Sequence, residues 1–219
     1  MKNAKAIAST LTAVVIMAVA SGNVLADDRE LVGVLTGDGY ENEYFGVKCA
    51  LSSEYTIQCR SVIQPEDPLE IINASNSDST IDLLKSEIDL NDATVFTAIA
   101  SNEVDNMVVT VASPGFGYDT WDSEETVAFG TIDSVKEDLE NTGMEQDIDV
   151  ENISVDVAQV DFIGEKHSGL EYSCTINGTP VYGKGVILIS DDSKYAFFLQ
   201  TVALDQGTVA EMLNSFVKL

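Results

Sequence analysis

The sequence predicts an α+β sandwich of one domain, an antiparallel sheet covered on both faces, from three observations. Between Val160 and Leu204 the chain reads as consecutive strands, with Leu170, Tyr172, Cys174 and Ile176 alternating with Glu171, Ser173 and Thr175 at the period of two that marks one buried face. Asn177-Gly178 tolerates positive φ at both central positions and so predicts a tight hairpin into the strand ending Val186-Ile187-Leu188-Ile189, with Asp191 to Lys194 turning the chain again. In the next strand Tyr195, Phe197 and Leu199 face one way and Ala196, Phe198, Val202 and Leu204 the other, so this strand is central and both its faces need cover.

The first residues read as an export signal. Lys2 and Lys5 give a positive start, Ala6 to Ala20 an apolar core, and Val24-Leu25-Ala26 the small residues of a cleavage site, so residues 1–26 are a signal peptide cut near Ala26. The apolar core is too short and interrupted to span a membrane, which needs about 20 apolar residues, and no later segment comes close. No cysteine follows it, which argues against a bacterial lipid anchor. Residues 27–39 then form a flexible lead and 40–219 the single folded domain, in an extracellular or periplasmic protein of bacterial type.

Of the 219 residues, 37 are Asp or Glu and 11 are Lys or Arg, giving a formal charge of −26. Such a surface repels phosphate backbones and anionic membranes, so nucleic-acid binding is argued against, while basic proteins and divalent cations remain open as partners. The plainer reading is that the charge keeps an exported protein soluble.

Leu31 to Leu35 is an apolar run suited to an edge strand, and Phe45 to Leu51 and Thr56 to Ile63 read as two strands about Ser52-Ser53-Glu54-Tyr55. A symmetric turn there sets Cys49 opposite Cys59, within disulfide geometry in an oxidising compartment. Cys174, on the apolar face of its strand, reads as a buried free thiol, although three cysteines allow other pairings. Asn73 to Thr80 reads as an exposed loop, Thr80 to Ile88 as a short helix, and Ala93 to Ala100 and Met107 to Ala112 as strands.

The segment Ser113 to Asp122 holds Phe116, Tyr118 and the single tryptophan, Trp121. It leads into the clearest internal helix, capped by Ser123, with Glu124 and Glu125 at its positive end and Ala128, Ile132, Val135 and Leu139 on one side; Asn141-Thr142-Gly143 is the expected stop. Ile148 to Phe162 reads as strand with a change of parity between Val150 and Ile153, a bulge or break, and Gly164 to Gly169 as the turn that follows. A closing helix shows a capping box at Thr208 and Glu211 and an apolar stripe of Val209, Met212, Leu213, Phe216 and Val217.

Three segments resemble the PsbP-like family, named for an extrinsic subunit of the oxygen-evolving photosystem and sharing its fold with a Ran-binding nuclear-import factor. Tyr40-Glu41-Asn42-Glu43-Tyr44-Phe45-Gly46-Val47 is similar to the opening strand of secreted bacterial members, Phe162 to His167 to their glycine turn, and Met212 to Phe216 to their closing helix. Where many members continue with a Pro and a Trp, this chain has Ser52 or Ser53 and Tyr55. The resemblance spans most of residues 32–219 and implies an α/β/α sandwich, an antiparallel sheet with helices packed on both faces. It lends no catalytic residues, and the family's roles are binding roles.

Chemistry-bearing motifs are few. Gly178 to Gly185 nearly matches a phosphate-binding loop but ends in Gly185 where Ser or Thr should hold magnesium, and it precedes a strand instead of a helix. His167 is the single histidine, the one imidazole base available to an extracellular hydrolase, with Ser168 or Cys174 as conceivable nucleophiles but no nucleophile-elbow motif; a surface turn residue is the better reading. Asp147, Asp149 and Glu151 alternate onto one strand side, where low-affinity calcium is the alternative to a solvated face. Phe116, Tyr118 and Trp121 form either a recognition loop or a lid folded over the sheet. The sequence therefore points to an exported, acidic, non-catalytic binding protein without a cofactor, meeting a protein or cell-surface partner, with a basic one favoured by charge.

Overall fold

The computed structural model describes residues 31–61, 70–72, 93–114, 120–146 and 148–219, less Val32, Gly37, Asp38, Ser101 and Glu103. The signal peptide, the Asn73 to Thr80 loop and the expected Thr80 to Ile88 helix lie outside the described residues. Among those described, β1 (Val34–Thr36), β2 (Gly39–Asn42), β3 (Val47–Ala50) and β12 (Phe216–Lys218) form a small sheet in the order β1-β2-β3-β12. A second sheet contains β4 (Tyr55–Ser61), β5 (Glu70–Ile72), β6 (Ala93–Ala100), β7 (Asn106–Ala112), β8 (Val150–Phe162), β9 (Glu165–Ile176), β10 (Thr179–Ile189) and β11 (Ala196–Ala203), in the order β5-β4-β6-β7-β11-β10-β9-β8. Two helices with defined bounds among the described residues accompany them, α1 (Glu124–Gln146) and α2 (Gln206–Asn214).

This architecture corrects the α/β/α sandwich. One face of the large sheet is covered by α1, but the other is covered chiefly by the small sheet, with α2 beside it, so the molecule is mostly antiparallel strand. The physical reason lies in the chain's first and last described segments. Tyr40, Val47, Cys49 and Phe216 all point inward from the small sheet and are fully or almost fully buried, supplying the apolar layer that a helix would otherwise provide. β11 sits between the layers as its sequence predicts. Tyr195, Phe197 and Leu199 enter the core between the sheets, while Ala196, Phe198 and Val202 enter the core under α1. Leu204, expected on the second face, is exposed.

Turns explain the registers. Asn177 and Gly178 have φ of 49° and 79° and close β9 onto β10 with Thr179 opposite Ile176, the hairpin the sequence calls for. Ile163 and Gly164, at 47° and 86°, make the equally tight turn from β8 to β9. The turn is thus two residues long, and the segment read as a turn through Gly169 is already strand. The register slip in β8 falls between Glu151 and Ser154, with Asn152 at φ 55°, where the parity change places a bulge.

Both helices depart from their expected ends. Ser123 Oγ accepts from Thr126 N at 3.2 Å as the cap of α1, but the helix runs through Asn141-Thr142-Gly143 to Gln146. Gly143 serves close packing there, since a Cβ would come within 2.9 Å of a Val150 methyl. The cap of α2 is Asp205, which accepts from Thr208 N at 2.9 Å, so Thr208 is not the capping residue. Phe216 lies beyond that helix in β12, and Val217 is exposed instead of joining the apolar stripe.

The cross-strand premise for a Cys49–Cys59 disulfide is corrected as well. β3 and β4 belong to different sheets: Cys49 lies opposite Tyr40 and Phe216, whereas Cys59 lies opposite Phe96 and Ile72. Cys49 is a free, buried thiol within hydrogen-bonding distance, 3.3 Å, of Ser215 Oγ, and the Cys59 side chain lies outside the described residues. Cys174 is also free and buried.

Candidate functional site

The turns of both sheets converge at one end of the molecule and enclose an open groove of about 710 Å³. Its apolar lining comes from Phe45 after β2, Ile163 in the β8–β9 turn, and Leu188 and Ile189 at the end of β10. Carboxylates rim it: Glu43, Glu124, Glu165, Asp191 and Asp192, against the cation of Lys218 and the His167 imidazole. Tyr44 links two of the converging turns, its hydroxyl donating to Asp192 Oδ1 at 3.4 Å and its ring meeting Tyr195 edge-on.

Each charged side chain on the rim has a distinct setting. Lys218 Nζ donates to Glu165 Oε1 at 2.7 Å, and this ammonium holds the Glu165 carboxyl below its ordinary range. Asp192 is held low in the same way, first by the Ser190 hydroxyl at 2.8 Å and then by the Lys194 backbone N–H. Glu43 and Asp191 are exposed and have no side-chain partner among the described residues.

His167 lies on β9, not in a turn, and its side chain is 14% exposed. Its Nδ1 lies 2.9 Å from Glu124 Oε1, and the other oxygen of Glu124 accepts from Ser168 N at 3.0 Å. The imidazole is therefore oriented by a carboxylate, an arrangement that catalytic histidines share. Here the chemistry stops short of a triad. Nε2 is buried with no hydrogen-bond partner, and the Ser168 hydroxyl is turned away to accept from Gln159 Nε2 at 2.9 Å. Cys174 is a buried thiol whose ionisation is pushed up to about 11 by burial, a poor nucleophile at neutral pH.

No protein-family model matches the chain and no curated protein matches it, so neither supports membership of the PsbP-like family. Among solved structures, the crystal structure of LpqN, involved in cell envelope biogenesis of Mycobacterium tuberculosis, is similar over 78% of this chain and 82% of that one, at 12% identity and a TM-score of 0.36.

Trp121 is half-buried under the end of β7, its indole N–H donating to Ala112 O at 3.3 Å and its ring set edge-on to Phe198 at 5.8 Å. Phe116, Tyr118 and Asp147 lie outside the described residues. Trp121 N also donates to Ser193 O at 2.7 Å, which ties Trp121 to the turn that carries Asp191 and Asp192 of the groove's rim. Asp149 and Glu151 are both exposed, and among the described residues no cluster of three metal-ligating side chains exists. Gly178 to Gly185, the near match to a phosphate loop, is extended strand from Thr179 onward. Sequence reasoning passed over the Glu124 to His167 contact because 43 residues separate the partners and no local pattern joins them. Tyr44 and Phe45 were visible only as part of the family-like segment.

Proposed function

We propose that this chain is an exported, acidic binding protein, non-catalytic, whose partner meets the end of the large sheet where the groove lies and where Trp121 is tied to the neighbouring turn. One observation carries the reading. The single imidazole is held by Glu124 on one nitrogen, and its other nitrogen is buried without a partner, so in this conformation it is not presented to a ligand in the groove as a base. What the groove offers a partner is shape, an apolar lining and a fixed pattern of carboxylates, the materials of recognition. Among the described residues no helix is long and apolar enough to cross a membrane, which fits an exported chain released from its signal peptide.

The test pairs capture with an activity screen. Purified protein immobilised through a single biotinylated cysteine introduced at Glu137, exposed on α1, should retain a partner from the exported and cell-surface fraction, and Tyr44→Ala with Asp191→Asn should release it while the fold survives. Hydrolysis of ester or peptide substrates that vanishes in His167→Asn would overturn the non-catalytic reading.

A further inference from the structure

The groove's composition narrows the kind of partner. Three of its carboxylates are already engaged, Glu124 by His167, Glu165 by Lys218, and Asp192 by Ser190 and Lys194. Glu43 and Asp191 are left without a side-chain partner among the described residues, on the two turns that the Tyr44 to Asp192 hydrogen bond holds together. The apolar residues that line the same groove are firmly backed: Phe45 packs on Phe197 at 5.3 Å, and Ile163 and Leu188 belong to or pack against the core between the sheets. A free metal ion would use the carboxylates and leave this lining wet. A purely apolar segment would cover the lining and desolvate the carboxylates without compensation. A cationic side chain flanked by apolar ones satisfies both.

We propose that the groove seats an extended segment of a partner protein carrying lysine or arginine between apolar side chains, the cation meeting Glu43 and Asp191 and its apolar neighbours covering Phe45 and Ile163. The inference rests on the binding reading above and deepens it by naming the partner's chemistry. Affinity then depends on where the charges sit, not merely on the chain's overall acidity, which by itself raises only the encounter rate and is screened by salt. Charge-assisted hydrogen bonds to two carboxylates within a partly dry groove account for a selective loss when those two are neutralised.

The experiment is an amide chemical-shift titration of the whole isotope-labelled chain with two capped peptides, Leu-Lys-Leu-Lys-Leu and its glutamine counterpart. The lysine peptide should shift the amides of Phe45, Gly46, Ile163 and Ser190 to saturation, and Glu43→Gln with Asp191→Asn should weaken it by about tenfold or more. The matched control, Glu137→Gln with Glu140→Gln, removes the same charge from exposed positions on α1 about 20 Å along the helix from Glu124, and should leave affinity within about twofold. Equal weakening by the control pair would overturn the proposal in favour of long-range charge alone. Equal binding of the glutamine peptide at the same amides would overturn the cationic class while leaving the groove as a binding site. If calcium but neither peptide moves the groove amides, the partner class is overturned in favour of a bare cation; if nothing moves them, the groove reading itself fails.

Discussion

Glu124 and His167, on different elements, are joined by a 2.9 Å contact that pins the first turn of α1 to the third residue of β9, and the same carboxylate takes the backbone N–H of Ser168. The position serves two purposes at once. A carboxylate at a helix start is favoured by the exposed N–H groups there, and its two oxygens satisfy two donors on a strand that α1 must cover.

Removing that carboxylate should therefore loosen a defined place. Glu124→Ala leaves the buried Ser168 N–H without its partner, and a cost of about 1–3 kcal/mol is expected, toward the low end because the Glu124 side chain is a quarter exposed. Urea unfolding measures the loss, and hydrogen exchange at the Ser168 amide locates it. Exchange at Ser168 that matches the parent protein would show that the contact carries no weight.

Phe216 closes the core between the sheets, facing Phe96 at 6.5 Å, Phe162 at 5.5 Å and Phe197 at 6.5 Å. It is 3% exposed. Phe216→Ala should cost about 3–5 kcal/mol, since three rings from three strands of the large sheet cannot all move into the space. A melting temperature equal to the parent's would contradict this placement.

What could be read from the sequence follows the range of the forces involved. The tight turns at Asn177-Gly178, the bulge after Glu151 and the two-faced β11 were all legible, because local backbone sterics and period-two patterning fix them. The partner of β3 was not. Nothing near Cys49 in sequence states that it pairs with Phe216 of β12 or lies beside Ser215, 166 residues away, and a hairpin with β4 looked as good locally. The groove was hidden for the same reason: Glu43, Ile163 and Asp191 come from separate turns, and His167 from β9, brought together only by the two-sheet arrangement.

Gly183 is required by a ring. The Tyr172 side chain crosses it to donate its hydroxyl to Thr201 O at 3.3 Å, and a Cβ at Gly183 would lie 2.2 Å from the ring. Gly183→Ala should destabilise by about 2 kcal/mol or more, because Tyr172 must leave its place or β10 must shift. The combination with Tyr172→Leu should cost less than the sum of the two single changes, the signature of residues in contact. Strict additivity in a double-mutant cycle would refute the crossing.

The buried thiols predict alkaline sensitivity. Burial raises Cys49 and Cys174 from an ordinary value of 9.0 to about 11, and the Ser215 contact offsets this only partly at Cys49. The unfolded chain therefore releases these protons at lower pH than the folded one. Their contribution is intact below pH 9 and lost as pH rises through 11, roughly 2 kcal/mol for each thiol. Cys49→Ala with Cys174→Ala should flatten the fall in stability across that window. A slope unchanged by both substitutions would assign it elsewhere.

Trp121 decides how the aromatic segment is used. Its indole is anchored by its side-chain N–H to Ala112 O and by its ring edge to Phe198, which places it among the residues that cover the face under α1. Half-burial sets the expected cost of Trp121→Ala at about 2 kcal/mol, below that of a fully enclosed ring, and Trp121→Phe should recover most of it by keeping the edge contact and forgoing one hydrogen bond. As the single tryptophan, it also reports on its own site: emission should shift to longer wavelength on unfolding and, because its backbone N–H holds Ser193 O beside the groove, change in intensity when a peptide fills the groove. The two roles separate cleanly in Trp121→Phe. A folded variant that binds the lysine peptide within about twofold of the parent would assign the indole to the core, whereas a folded variant with tenfold weaker binding would move it into the recognition surface.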